Sequence, residues 1–177
     1  IVFFQVPDVT RILRDCSFED IYYEHCSYFS PGSLARLFRR TGFEPIDLKV
    51  DFGGQYLLIE AKPTDRSSAM PLDLEDDLAL IQELVNSFRK KYPLVTGYWN
   101  TLLRSIRADT ERAVIWGSGS KGVAFLNEMV DSAVIEYAVD INPHRQGTFM
   151  AGSGQQIVAP AFLKSYRPHA VIVMNAV

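Results

Sequence analysis

The chain has 177 residues, of which 47% are hydrophobic and 22% charged, and its formal net charge is −3. That length suits one or two small domains with a real hydrophobic core. The near balance of charge excludes the strongly basic surface of a nucleic-acid-binding protein, and no apolar run approaches the roughly 20 residues of a membrane helix. No signal peptide is visible. Cys16 and Cys26 form neither a disulfide framework nor part of a metal-ligand set, so we expect a reduced, cytosolic setting.

The front of the chain predicts a strand, a loop and a helix. Residues 1–6 form an apolar run typical of a buried strand, and a loop over 11–19 is expected to follow. Ser30 and Pro31 are a strong helix start, because Ser is a good N-cap and Pro fits the first helical position. Gly42 is expected to end that helix. Its predicted apolar face consists of Leu34, Leu37 and Phe38.

Two strands and a linker are expected next. Residues 43–50 and 55–61 have strand-like composition, and Asp51-Phe52-Gly53-Gly54 between them is a hairpin signal. The stretch 62–72 has the composition of a linker.

Two amphipathic helices are predicted after the linker. The first has an acidic beginning over residues 73–77 and a basic end at Arg89-Lys90-Lys91, as the helix dipole favours. Pro93 is expected to break or kink it. Its apolar residues at helical spacing are Leu74, Leu78, Ile81, Leu84, Val85 and Phe88. The second helix carries Trp99, Leu102, Leu103 and Ile106. We expect the two helices to bridge two domains.

From residue 111 onwards the pattern is strand, turn, helix and strand. Strands are predicted at 113–116, 134–139 and 170–174, with a helix at 123–130 and a short helix that begins at 160–163. This βαβαβ order is typical of a parallel sheet. Both ends of the chain fall within strand-like runs, so we expect it to be a piece of a longer protein.

The stretch Tyr22-Tyr23-Glu24-His25-Cys26-Ser27-Tyr28 holds an imidazole, a carboxylate and three phenols. The unperturbed pKa of His lies near neutrality, a carboxylate can orient the ring, and a phenol can share a proton. These are the groups of a general base, and they precede a predicted helix, where site residues are common. The alternative is that the aromatic residues pack in a core or interface and that His and Glu form a surface pair.

A glycine-rich turn follows the strand at 113–116. Gly117-x-Gly119-x-x-Gly122 opens a helix and Asp140 ends the next strand, which is the spacing of a dinucleotide-binding fingerprint. The helix N-terminus would offer N–H groups to a phosphate, and Asp140 would accept hydrogen bonds from ribose hydroxyls. Further polar contacts would come from Ser118, Ser120 and Lys121. From the residues alone, nicotinamide or flavin binding and a glycine turn kept for strand–helix packing both stay open.

His144 and Arg145 lie in the stretch Asn142-Pro143-His144-Arg145-Gln146-Gly147 and could meet a diphosphate. The alternative is that this stretch forms an ordinary turn in which both side chains are solvated. His169 is assigned no role.

Two blocks of the sequence resemble S-adenosylmethionine-dependent sugar C-methyltransferases, in that family's order. The first is similar to the end of the catalytic domain and consists of Tyr22, Glu24-His25, Ser27-Tyr28-Phe29-Ser30, Leu34, Phe38 and Gly42-Phe43. The second is similar to the same family's second domain and consists of Gly117-Ser118-Gly119-Ser120-Lys121-Gly122 and Val139-Asp140-x-Asn142-Pro143-His144-Arg145-Gln146-Gly147.

The resemblance implies an α/β fold in three parts. The last strands and helix of a class I methyltransferase-type domain (1–62), whose final strand runs antiparallel to the others, precede a helical linker (63–110) and a Rossmann-like parallel sheet (111–177). The Gly-rich strand–loop that carries S-adenosylmethionine in that fold is not in this sequence. We therefore expect the methyl donor to be bound mainly by an upstream region, and this chain alone to be inactive.

The resemblance also implies a reaction, namely C-methylation of a nucleotide-linked keto sugar through an enolate. His25 would be the base, Glu24 its orienting partner and Tyr22 a proton-sharing or oxyanion-stabilising phenol, with Tyr23 and Tyr28 as weaker candidates. Substrate or nucleotide contacts would come from Gly117, Ser118, Gly119, Ser120, Lys121, Asp140, His144 and Arg145.

Two alternatives remain. One is an NAD(P)- or nucleotide-binding module without methyl transfer, and the other is a docking or oligomerisation domain. No metal, nucleic acid or membrane partner is expected, and the oligomeric state is left open.

Overall fold

A computed structural model of the chain describes residues 1–65 and 70–174. Residues 66–69 of the predicted linker therefore lie outside the described residues. The chain forms two compact units. The first consists of Ile1–Ser17 and Tyr23–Lys91, and the second of Phe18–Tyr22 and the chain from Tyr92 onwards.

The first unit contains a three-stranded sheet of β1 (Val2–Pro7), β2 (Phe43–Asp51) and β3 (Tyr56–Pro63) in the order β1-β3-β2. The predicted strands and hairpin are confirmed, and β3 runs antiparallel to both neighbours as expected. The prediction that the first strand is buried is wrong, since Phe3 and Phe4 in β1 are 56% and 51% exposed. Gly53 and Gly54 both have positive φ at the hairpin, a conformation that glycine adopts at little cost.

The loop predicted over 11–19 is wrong, because helix α1 (Val9–Asp15) occupies most of it. Asp8 caps this helix, since its carboxylate accepts a hydrogen bond from the amide of Thr10 at 2.8 Å. Ile12 is fully buried. A short 3₁₀ turn, Phe18–Asp20, follows.

Helix α2 (Pro31–Arg40) begins as predicted, with reciprocal hydrogen bonds between Ser30 and Ser33 that form a capping box. It ends before Gly42, whose φ is +86°. The prediction that Leu37 faces the core is wrong, since this side chain is 43% exposed. The buried stripe instead includes Ala35, and the core between helix and sheet consists of Leu34, Ala35, Phe38, Leu48, Leu57, Ile59 and Ala61.

One helix of 31 residues, α3 (Leu78–Ala108), replaces the two predicted helices. Pro93 was expected to break or kink the helix, and a break is wrong because the helix continues through this residue. Proline there removes one backbone donor, but amphipathic sequence on both sides sustains the helix. The acidic residues 73–77 precede the helix rather than form its first turn, and Arg89-Lys90-Lys91 lie in its middle.

The second unit contains a parallel sheet in the order β6-β5-β4-β7, which confirms the predicted α/β class. Its strands are β4 (Ala113–Trp116), β5 (Ile135–Val139), β6 (Gln156–Val158) and β7 (Ala170–Val173), with helices α4 (Ser120–Glu128) and α5 (Leu163–Tyr166). Helix α4 begins three residues earlier than predicted. Strand β6 was not predicted, because three residues are too short to show a periodic pattern.

Candidate functional site

The Tyr22–Tyr28 stretch lies in the connection between the 3₁₀ turn and helix α2. Tyr22 belongs to the second unit, whereas Glu24 and His25 belong to the first. The hydroxyl of Tyr23 donates a hydrogen bond to Oε1 of Glu24 at 3.2 Å. The ring of His25 meets that of Tyr28 edge-on, with 5.6 Å between the centroids. The phenols in contact with Glu24 and His25 are therefore those of Tyr23 and Tyr28, the two weaker candidates.

The end of this stretch is held by the first unit. The carbonyl of Phe29 accepts a hydrogen bond from the amide of Val9 at 3.0 Å. Ser30, the next residue, is buried and caps helix α2. His25 is half-buried and Glu24 is exposed. The ring of His25 thus contacts that of Tyr28 and lies four residues before the hydrogen-bonded carbonyl of Phe29, which suits a group that must be oriented.

The glycine loop begins where β4 ends and leads into α4. Gly117 has a φ of +113°, a conformation that favours glycine. A Cβ atom on Gly122 would lie 2.3 Å from the carbonyl oxygen of Gly117, so this glycine allows the helix to pack closely on the loop. Gly119 differs, because its φ is −78° and a Cβ there would meet its nearest atom, Nη1 of Arg145, at 3.5 Å. Gly117 is therefore required by the backbone conformation of the loop and Gly122 by close packing, whereas Gly119 is required by neither.

Asp140 is held inside the glycine loop. Its Oδ2 accepts hydrogen bonds from the backbone amide of Ser118 at 3.0 Å and from the hydroxyl of the same residue. Its Oδ1 accepts one from the amide of Asn142 at 2.8 Å. Nη1 of Arg145 lies 3.5 Å from Oδ2.

These contacts set the charge of Asp140. Burial alone would raise the pKa of its carboxyl, but the hydrogen bonds from Ser118 and Asn142 and the charge of Arg145 outweigh it and hold the pKa below its ordinary value. Both carboxylate oxygens thus accept hydrogen bonds from within the protein. The dinucleotide hypothesis instead expects them to accept hydrogen bonds from ribose hydroxyls.

The remaining candidates around the loop have different surroundings. Ser120 is the first residue of α4. Nζ of Lys121 lies 3.2 Å from Oδ1 of Asp20, in the 3₁₀ turn. His144 is exposed, and its amide donates to the side chain of Asn142 at 3.0 Å, which is turn geometry. The structure therefore brings Arg145 to the loop, whereas His144 lies on an exposed turn.

Sequence reasoning missed the contact between Asp20 and Lys121. Asp20 precedes the Tyr22–Tyr28 stretch, and no local sequence pattern relates it to a residue as distant along the chain as Lys121.

In residues 1–65 and 70–174, no group of three His, Cys, Asp or Glu side chains is placed to hold a metal ion. In the same residues, no helix combines the length and the apolar character needed to cross a membrane.

Comparison with known proteins assigns the chain to a family. The model of the C-methyltransferase C-terminal domain matches residues 59–176, which include the end of β3, helix α3 and the whole parallel sheet. The chain is also 25% identical, over 181 residues, to C-methyltransferase NovU of Streptomyces niveus. That similarity covers 97% of this chain and 43% of NovU, so the chain spans less than half the length of this relative. The chain belongs to the C-methyltransferase C-terminal domain family.

Proposed function

We propose that this chain is the C-terminal part of an S-adenosylmethionine-dependent methyltransferase that methylates a carbon of a nucleotide-linked keto sugar. The observation that carries the proposal is the family match over residues 59–176. The similarity to NovU, which extends over 97% of the chain and thus includes the Tyr22–Tyr28 stretch, supports it. The sugar substrate rests on the resemblance of the two sequence blocks.

The glycine loop of this chain does not fit the methyl donor well. A nucleoside needs a free acceptor for its ribose hydroxyls, and Asp140 already accepts bonds from Ser118 and Asn142. We therefore assign the donor mainly to an upstream region and derive no step through it here. When bound, S-adenosylmethionine would supply the electrophilic methyl group.

The groups of this chain would act on the sugar. A carbon next to a ketone is a weak acid, so a positioned base must remove its proton as the electron pair moves toward the ketone oxygen. We assign this base to His25, which is half-buried against Tyr28. Glu24, bonded to the hydroxyl of Tyr23, would stabilise the imidazolium that forms. Tyr22 would donate to the developing oxyanion.

Candidate contacts for the diphosphate of a nucleotide lie in the second unit. Arg145 extends to the start of α4, where Gly119 is the N-cap and no side chain caps the helix. A guanidinium and free amides at a helix N-terminus both favour a diphosphate. Ser118, Ser120 and His144 would contribute at the edge of this contact, while Gly117 and Gly119 would let the backbone come close.

The test uses the natural full-length protein with a thymidine diphosphate keto sugar. Incubation in deuterium oxide without methyl donor measures exchange at the carbon beside the ketone by mass spectrometry, and incubation with labelled donor measures methyl transfer. His25→Ala should lower both by about 100-fold or more, and Glu24→Gln by about tenfold. Normal exchange and transfer in both variants would refute the assignment.

A matched control variant is available in the second unit. Nδ1 of His169 accepts a hydrogen bond from the amide of Arg112 at 2.9 Å. An Asn side chain at this position can accept the same bond. His169→Asn should therefore leave exchange and methyl transfer within about twofold of the wild type.

A second candidate function is an NAD(P)-binding module. The observation in its favour is the βαβ unit with Gly117, Gly119 and Gly122 at the carboxyl end of β4. Calorimetric titration of the chain with NAD, S-adenosylmethionine and the nucleotide sugar separates the two. Heat with NAD that is lost in Asp140→Asn and kept in His25→Ala would favour the module, whereas heat with the nucleotide sugar alone would favour the methyltransferase.

A further inference from the structure

The 3₁₀ turn Phe18–Asp20 packs on the helix that follows the glycine loop. Phe18 is 6% exposed, and its ring stacks on that of Phe125 in α4 with 6.1 Å between the centroids. The ring of Tyr92 meets Phe18 edge-on at the same distance. Aromatic pairs of this kind hold a segment in one orientation. The turn is therefore an integral part of the second unit, as are Ile21 and Tyr22 after it.

Lys121 and Asp20 add an ion pair to this packing. Nζ of Lys121 lies 3.2 Å from Oδ1 of Asp20, and the two side chains are 28% and 13% exposed. A lysine at the beginning of a helix opposes the helix dipole, so its charge there is unfavourable without a partner. The carboxylate of Asp20 supplies the compensating negative charge. The ammonium of Lys121 is thus directed to the turn.

We propose that Lys121 is a positioning residue whose ion pair with Asp20 fixes Tyr22, rather than a phosphate ligand of the glycine loop. This proposal rests on the proposed function, in which Tyr22 is the phenol that stabilises the oxyanion. The turn is closed by a hydrogen bond from the amide of Ile21 to the carbonyl of Phe18 at 3.0 Å, which holds the backbone up to the residue directly before Tyr22.

The consequence is a division of labour in the second unit. Gly117 and Gly122 determine the conformation of the loop, and the hydrogen bonds between Asp140 and Ser118 stabilise it. The ion pair of Lys121 with Asp20 fixes the turn, and thereby Tyr22, relative to α4. A misplacement of a catalytic group by about 1 Å lowers the rate by about 100-fold, even when substrate still binds. Loss of the ion pair should therefore change kcat more than KM.

The experiment compares Lys121→Met, Asp20→Asn and Lys121→Arg in the full-length protein. Methyl transfer to the thymidine diphosphate keto sugar gives kcat and KM, and hydrogen exchange followed by mass spectrometry reports on the peptide 18–25. We expect Lys121→Met and Asp20→Asn each to lower kcat by about tenfold, to leave KM within about threefold and to speed exchange in the peptide. Lys121→Arg, which keeps the charge, should restore slow exchange and most of kcat.

Two results would overturn the proposal. If Lys121→Met raised KM with kcat unchanged while Asp20→Asn had no effect, Lys121 would be a ligand of the substrate phosphate. If neither variant changed exchange in the peptide, the ion pair would not hold the turn. Absence of methyl transfer in the wild type would refute the proposed function. The exchange measurement does not need activity, so it would still show whether the ion pair holds the turn.

Discussion

Arg39 and Glu75 form a two-point ion pair, with 2.6 Å between Nη2 and Oε1 and 3.4 Å between Nε and Oε2. Nη1 of Arg39 also lies 2.6 Å from Oε1 of Glu44, and Nη2 donates to the carbonyl of Met70 at 3.2 Å. Helix α2, strand β2 and the chain before α3 therefore share one guanidinium. The side chains of Arg39 and Glu75 are 14% and 7% exposed.

Replacement of Arg39 by methionine should destabilise the first unit by about 2–4 kcal/mol, because two nearly buried carboxylates lose their common cation. Arg40→Met is the matched control, since the neighbouring side chain is exposed and should cost less than about 0.5 kcal/mol. Calorimetric unfolding at neutral pH measures both. Equal melting temperatures for the two variants would contradict the expectation.

The stability of the second unit should depend on pH through Asp140. The pKa of this carboxyl in the folded state lies below its ordinary value of 3.8, so ionised Asp140 stabilises the folded state above that value. The stabilisation is lost as the pH falls through the folded pKa. Asp140→Asn should therefore cost about 1–3 kcal/mol at pH about 7 and progressively less below pH about 4. Thermal unfolding of both proteins across this range tests the sign, and a pH-independent difference would contradict it.

Gly122 and Gly119 should respond differently to alanine. In Gly122→Ala the new Cβ would lie 2.3 Å from a backbone oxygen, so the helix must move and the second unit should lose about 2–4 kcal/mol. In Gly119→Ala the nearest atom is 3.5 Å away on a flexible arginine, and the expected cost is about 0.5–1 kcal/mol from the poorer N-cap. Urea unfolding measures the two costs. A Gly119 variant as unstable as the Gly122 variant would refute the packing argument.

Helix α3 contains a glycine that costs stability. Gly97 lies in the helix interior, is exposed and has no atom within 4 Å of an added Cβ. Gly97→Ala should therefore stabilise the chain by about 0.5–1 kcal/mol through lower backbone entropy of the unfolded state. Gly53→Ala is the contrasting variant, because it also has free space but a φ of +65° that alanine adopts poorly. Melting temperatures should move in opposite directions.

The predictions from sequence that are confirmed concern features with strong local signals. Ser30-Pro31 specified the start of α2 because an N-cap and a first-position proline act within one turn. The glycines at 53 and 54 specified the hairpin, and the alternation of apolar runs with a helix specified the parallel sheet. Leu37 and Pro93 were misjudged because a pattern of residue types does not show which side of a helix meets a sheet, nor whether a proline is accommodated.

For the candidate site, sequence identified the residue types but not their partners. The roles of His25, Glu24 and Tyr22 stay predictions. Asp140 was expected to face a ribose, whereas its oxygens bind Ser118 and Asn142. Lys121 was expected to add a polar contact to a bound nucleotide, and in the structure its ammonium lies 3.2 Å from Oδ1 of Asp20. Each difference arises because a charged side chain takes the nearest complementary group, and long-range folding decides which group that is.

Short-range patterns of residue types therefore established the class of fold, the start of α2, the hairpin between β2 and β3, and the family. Three contacts are visible in the folded chain alone: Arg39 joins α2 to Glu75, Asp140 binds the backbone of the glycine loop, and the turn before Tyr22 packs on α4. Those contacts join segments far apart along the chain, and their energies depend on distance and burial that no local pattern encodes.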